Sequence, residues 1–436
     1  MPMSSIANPT RTEGARAGWP VARLCTLLAT VLATVTIVSF HPFEPAGPQP
    51  DEGGDLVNQL GFGFLGAVAL FGLFTLVDRR VATTLLSPWW LALLALMGLS
   101  VLQAPSPPDA LRAGIYTMTG LFIMAAALTL PRDAAGFSTM LATMAVIVLG
   151  LCYYGVLALP EVAIHGAEGP EAQHAGLWRG SFAHKNIASP VMATLCFAGI
   201  YLWRRGWRFG GGLIFVLALV FMVNAGSKAT MAVMPLVAIM VLLPGICGMR
   251  FLAPLLVALT LCLMGLVTLG VVFIGPLGDL HDAFLPDVTY TGRTTLWAFM
   301  GEMLAQRPWA GYGLEGFWNS DTVLLADQPF DRDWDIRGIV HGHNSYLDLA
   351  IAMGLPALAI AIVAFVVAPL RDFLRTPPLR ENVLLADFFL MIAAFALINA
   401  LFESFFFRRV DPVWLFLVFS LLGLRLTARF PVTGHV

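Results

Sequence analysis

Thr291-Gly-Arg-Thr-Thr-Leu-Trp297, Arg307-Pro-Trp-Ala-Gly-Tyr-Gly313 and His341-Gly-His-Asn-Ser-Tyr-Leu-Asp348 share one polar segment, running from about Gly275 to Asn344. No other stretch of the 436-residue chain is as long and as polar. A connection of this length is either functional or disordered. Its tryptophans, glycine turns and spaced apolar residues argue for an ordered one. Apolar runs stand on both sides of it, so its reading decides the fold: a membrane bundle carrying one long ordered loop.

Composition supports that reading. The chain is 58% hydrophobic and 12% charged, with a mean hydropathy of +0.80. Soluble proteins carry about a quarter charged residues. The net charge of −2 excludes a broad basic nucleic-acid footprint. Cys25, Cys152, Cys196, Cys247 and Cys262 fall within or at the ends of apolar runs. They lack metal-ligand spacing and read as small core residues.

About 20 apolar residues cross a bilayer. Scanning outward from the loop predicts twelve spans, near 22–40, 57–77, 87–102, 112–130, 137–159, 186–203, 210–224, 228–246, 251–275, 345–369, 383–403 and 411–428. The chain therefore divides into nine N-terminal transmembrane helices (1–275), the loop (276–344) and three C-terminal helices (345–436). Basic residues set the orientation. Arg11, Arg16 and Arg23, then Arg79-Arg80, Arg132, Arg204-Arg205-Arg208, Arg250, Arg371-Arg375-Arg380, and Arg425 with Arg429 alternate onto one side. That predicts cytoplasmic termini. Ser39-Phe-His-Pro offers no small-residue cleavage site, so the first span reads as retained.

The connections 160–185, 224–228, 276–344 and 404–410 then lie on the far side. They carry Arg179, Lys185, Lys228, Arg293, Arg307, Arg332, Arg337, Arg408 and Arg409 against the topological bias. The chain's two lysines are both among them. An anionic ligand at the outer surface is the simplest reason.

Arg179, His184 and Lys185 precede a span that starts near Asn186. Free N–H groups and the positive dipole end of a helix would make this a phosphate site. Contact with lipid headgroups is the other reading. Ser227 reads as an N-cap that puts Lys228 in the first helical turn, where a lone lysine usually snorkels. The spacing of Leu296, Phe299, Met300, Met303 and Leu304 predicts a helix over 293–306. Arg293 falls in its first turn and is suited to a bidentate grip on phosphate. Tyr312 and its neighbours offer aromatic faces for sugar rings or for anchoring at the interface. Asn344-Ser345 marks a new helix, with His343 at its N-terminus. There a positive helix end and nearby arginines favour the neutral imidazole that a general base needs. A capping histidine is the alternative. P-loop, G-x-S-x-G, Rossmann and metal-spaced His/Cys patterns do not occur, and few intramembrane charges suggest an ion pathway.

Phe182-Ala-His-Lys-Asn186, Thr291-Gly-Arg-Thr-Thr-Leu-Trp297, Arg307-Pro-Trp-Ala-Gly-Tyr-Gly313 and His341-Gly-His-Asn-Ser-Tyr-Leu347 together resemble the O-antigen ligase and Wzy-type polysaccharide polymerase superfamily. The resemblance runs from about Arg179 to Gly354. It implies an all-α, GT-C-like glycosyltransferase of the bacterial inner membrane. Its active site would face the periplasm and use no metal and no cofactor. The implied donor is a glycan on undecaprenyl pyrophosphate and the acceptor a hydroxyl, with a chain-length regulator as an optional partner. The family's loop histidine matches His343. Its phosphate-binding arginines match Arg293 and Arg179, with Lys185 and Lys228 in support. His341, His184, Asn344 and Tyr312 are secondary candidates. Where relatives often have Ser-Arg, this chain has Ser227-Lys228, which keeps the charge and loses the fork. The wording of the motifs is nearest to exopolysaccharide polymerases. Ligation to lipid A–core, transfer to protein Ser or Thr, and a non-enzymatic exporter or flippase are the alternatives.

Overall fold

The structure, a computed structural model, describes residues 11–43, 55–168, 172–284, 292–318, 320–326 and 335–434. Thr291 and Arg332 lie outside these residues. Each of the twelve apolar stretches forms a helix. Ten described helices are long and apolar enough to cross a membrane, or eleven if Arg79–Leu85 and Pro88–Gln103 form one span bent by 59°. The expected count of twelve exceeds this because two of the stretches form short helices, Pro88–Gln103 and Pro412–Thr427, of 16 residues each. Lipid offers little hydrophobic drive between helices, so close approach of small residues matters. Lys185–Arg205 and Arg208–Ala225 illustrate this: a Cβ on Gly199 would meet the Gly211 carbonyl at 2.7 Å. Of the cysteines, Cys25, Cys152 and Cys196 are buried as expected, whereas Cys247 and Cys262 are exposed on the helix exteriors.

One end of the bundle gathers the arginines. Asp387 is buried and takes Arg204 at 2.9 Å and Arg250 at 3.1 Å. Arg205 pairs with Glu381 and Arg429 with Asp372, each at 3.1 Å. Arg425 donates to the Thr84 carbonyl. These bonds join helices widely separated in sequence, so the basic clusters at 79–85, 204–208, 371–380 and 425–429 share one end.

The long loop occupies the opposite end. Its described parts form Gly275–Phe284, Arg293–Gln306 and shorter turns around a small core of Trp297, Met300, Tyr312, Phe317, Val323 and Ile336. That core rests on Leu347 and Ile351 of the following helix. The loop is also seated through the backbone. Ser345–Ile362 breaks at Gly354 (φ 82°), two residues before Pro356. The break frees carbonyls at membrane depth, where an unpaired group would be costly. Tyr312 N–H donates to Ile351 O (2.7 Å), Gly313 N–H to Ala352 O (3.1 Å), and Leu355 N–H returns to Pro308 O (2.8 Å). Arg307-Pro-Trp-Ala-Gly-Tyr-Gly313 is therefore the segment that repairs a broken span.

Candidate active site

Helix starts fall where the residues require them. Arg293 opens its helix behind Gly292, which sits at φ 79°. Ser345 opens the helix after the loop, and the Asn344 side chain accepts from Tyr346 and Leu347 N–H at 3.1 Å. His184 caps Lys185–Arg205, and Ser227 stands at the N-cap of Lys228–Ile246 without making the side-chain bond.

The turn at 400–405 joins these pieces. Asn344 N–H donates to Ser404 Oγ, and Ser345 N–H to Ala400 O. Ser345 Oγ donates to Glu403 O at 2.7 Å. This docking delivers the Glu403 carboxylate to three partners: Asn186 Nδ2 at 3.2 Å, Arg293 Nη2 at 3.4 Å and His343 Nδ1 at 3.4 Å. Arg293 Nη2 also lies 3.4 Å from His343 Nδ1. Lys185 is within electrostatic reach of Glu403 on one side and Lys228 on the other. Residues 186, 293, 343 and 403 thus form one polar set at the end away from the arginine clusters.

Burial alone would push the Glu403 carboxyl up. The His343 hydrogen bond and the positive fields of His343, Arg293 and His184 outweigh it and hold the group below its ordinary range. An ionised Glu403 favours the His343 tautomer that carries its proton on Nδ1, because that nitrogen then donates to the carboxylate. Nε2 is left with its lone pair. His343 itself sits at φ 49°, a left-handed conformation that histidine tolerates better than most residues. Glu315, Phe407 and Arg409, nearby, share positive φ values of 56°, 55° and 42°. Such backbone costs about 1–3 kcal/mol per residue and clusters at functional sites.

Several expectations need correction. His341 was expected only as a secondary candidate beside His343. The left-handed His343 instead brings the His341 and His343 rings edge to face, 4.2 Å apart. Burial first, then the charges of His343, Arg408, Arg293 and His184, push the His341 imidazole down to about 2. Its Nδ1 is buried without a hydrogen-bond partner among the described residues.

The helix starting at Lys185 was expected to offer free N–H groups. Its first two are taken, Lys185 N–H by His165 Nε2 (3.3 Å) and Asn186 N–H by His184 Nδ1 (3.0 Å). The rings of His165, His174 and His184 pack mutually at 5.0–5.7 Å. Among the described residues no group of His, Cys, Asp and Glu has the arrangement of a metal site.

Arg179 is 2% exposed and donates to Ala183 O at 2.9 Å, bracing the turn that leads to His184. Tyr312 is no open sugar platform: its ring is buried against Phe317, its hydroxyl donates to Met303 O, and Arg307 stacks 4.8 Å over it. Asn344 is fully buried as a cap, and its amide donates to Leu401 O. Lys228 is exposed.

Glu403 and Asn186 were missed as site residues. The available signal was a carboxylate at the end of a long apolar run, just before Arg408-Arg409.

Comparison with known proteins finds two likenesses. A family model described as O-Antigen ligase matches residues 213–362, a stretch that includes Lys228, Arg293, His341 and His343. Over that stretch the chain is similar to O-antigen ligases. It is also 24% identical, over 70% of its length and 71% of the relative's, to the exopolysaccharide production protein ExoQ of Rhizobium meliloti (strain 1021). Glu403 and Asn186 lie outside the matched stretch.

Proposed function

We propose that the protein is a polysaccharide polymerase of the bacterial inner membrane. It transfers a glycan from undecaprenyl pyrophosphate to a sugar hydroxyl at the periplasmic face. The observation that carries this reading is the set Arg293–His343–Glu403, held at the bundle end away from the arginine clusters. The likeness to an exopolysaccharide production protein favours polymerisation. The description of the matching family favours ligation to lipid A–core as the second reading.

In this mechanism the acceptor hydroxyl gives its proton to His343 Nε2 while Nδ1–H donates to Glu403. The acceptor oxygen attacks the anomeric carbon. The bond from that carbon to the phosphate oxygen breaks, and lipid pyrophosphate leaves with the electron pair. Arg293, Lys185 and Lys228 stabilise the negative charge. Arg179 holds the turn that places Lys185. A single displacement inverts the anomeric centre, and no step requires a metal.

The test uses the purified full chain in liposomes with a lipid-pyrophosphate glycan and EDTA. The expected product is an elongated glycan with inverted linkage. Folded protein that forms no new glycosidic bond, or that loses activity with EDTA and regains it with a divalent cation, overturns the proposal. Transfer to lipid A–core, or to protein, selects the corresponding alternative.

A further inference from the structure

Beside His341 lies a small cavity of about 130 Å³. Glu315, Trp318, His341, Asp348, Phe406 and Arg408 are among the residues that line it. Its walls mix two carboxylates, an arginine, an imidazole and aromatic faces. A pyrophosphate site collects cations, as Arg293, Lys185 and Lys228 do; carboxylates facing the same space would repel that anion. A neutral polyhydroxyl ligand suits mixed walls, because each hydroxyl both donates and accepts and a sugar's apolar face packs on aromatic rings.

Two features mark the cavity as a built site. Asp348 is fixed by Gly342 N–H at 3.0 Å and Trp318 Nε1–H at 2.9 Å, so its position is set in advance. The rim is drawn together by Glu315 and Arg409, 3.7 Å apart and both in left-handed backbone. The His341 ring in turn touches that of His343. A sugar in the cavity is therefore one imidazole away from the base.

We infer that this cavity is an acceptor subsite, holding the sugar next to the reacting one in the acceptor chain through hydroxyl bonds to Glu315, Asp348 and Arg408, while the reacting sugar lies at His343. The inference rests on the glycan-transfer reading and divides the site. Cations on the Arg293 side take the donor's pyrophosphate, and the mixed-charge cavity beside His341 takes the sugar next to the reacting one.

The experiment measures binding to the full chain in nanodiscs by saturation-transfer NMR, with methyl hexosides as acceptor probes and inorganic pyrophosphate as the donor-head probe. Hexosides are expected to bind the wild type. Glu315→Gln and Arg408→Gln should each weaken them about tenfold or more, the worth of a hydrogen bond to a charged group, while pyrophosphate binding stays unchanged. Val340→Trp narrows the cavity from an exposed rim position and should exclude hexosides without disturbing the fold. Absence of hexoside binding to the wild type, or equal binding in all three variants, overturns the inference. So does loss of pyrophosphate rather than hexoside binding in Arg408→Gln. If the hexosides behave as expected but pyrophosphate binds Arg293→Ala as well as wild type, the donor reading fails and the acceptor subsite stands.

Discussion

Replacing Glu403 with glutamine keeps the shape of the side chain and removes its charge. The three contacts of the carboxylate, at 3.2, 3.4 and 3.4 Å, are long for charge-assisted bonds. Their contribution to stability is therefore modest, and the variant should lose only about 1–3 kcal/mol. Its effect on rate should be larger. Without the anion, His343 loses the partner that keeps the proton on Nδ1, and the glutamine amide can itself donate to that nitrogen. The base is then presented in the wrong tautomer. Removing general-base catalysis costs about 10²–10⁴ in rate, or about 3–5 kcal/mol of barrier. Glu403 touches no reacting atom in this scheme, so it is a positioning residue. Its loss should lower kcat while the donor KM changes little, and Glu403→Asp should recover part of the rate. Single-turnover transfer from a preloaded donor complex reads kcat directly. A glutamine variant that raises donor KM at wild-type kcat would refute the reasoning and leave Glu403 as a brace for Arg293.

The remaining predictions use the same preparation. His343→Ala should lower transfer about 10²–10⁴-fold in folded protein, whereas His341→Gln should keep most of kcat; near-wild-type turnover by His343→Ala would make His343 only a turn residue. Arg293→Ala should impair donor use more than tenfold, the loss of a charge-assisted contact of about 1.5–3 kcal/mol. Arg307→Ala should do less, because Arg307 stacks on Tyr312 outside the polar set, and equal losses would contradict the assignment. Reporter fusions after Arg375 and after Asp321 should give opposite signals, cytoplasmic and periplasmic, and a cytoplasmic Asp321 fusion would sink the topology. Stability should fall as pH drops below about 6.5. His341 resists protonation in the fold down to about 2, while the unfolded chain takes up that proton near 6.5. Glu403 acts lower, its stabilisation being lost only as pH falls through its depressed value below 4.5. Thermal unfolding at pH 7.5 and 5.5 should therefore show a slope that His341→Gln reduces, and an unchanged slope would exclude this source.

The helices were legible because apolar runs and caps are local. Asn344-Ser345, Gly292-Arg293 and His184-Lys185 each start a helix where the residues predict one. Arg293 and His343 could be chosen because each stands at such a start. Glu403 could not. It lies 60 residues beyond His343 and reaches it through the docking of the 400–405 turn onto Asn344 and Ser345. Nothing in the local pattern of Glu403-Ser-Phe-Phe-Phe reports that return. The capping of Lys185 N–H by His165 was hidden for the same reason. Periodicity locates a helix end but not the side chain from another connection that satisfies it. Tyr312 misled because aromatic residues near an interface and aromatic residues in a small core read alike.

The pairing of His341 with His343 was illegible for a different reason, and that reason bears on how the site works. No local pattern marks His343 for left-handed backbone, and it is across that turn that the rings meet. A strained residue persists only when its surroundings over-determine it. Here they do. Gly342 N–H is held by Asp348 and its carbonyl by Trp297 Nε1–H at 3.0 Å, while Asn344 N–H is held by Ser404 Oγ. The peptides on both sides of His343 are thus tied to three separate elements before any substrate arrives. Trp297 comes from the loop helix that Arg293 opens, and Ser404 from the turn that carries Glu403. The bonds that bend His343 are therefore the bonds that bring its two charged partners to it. Under the proposed mechanism, the orientation of His343 and the assembly of its charge set thus rest on the same hydrogen bonds, which is the preorganisation that electrostatic catalysis requires.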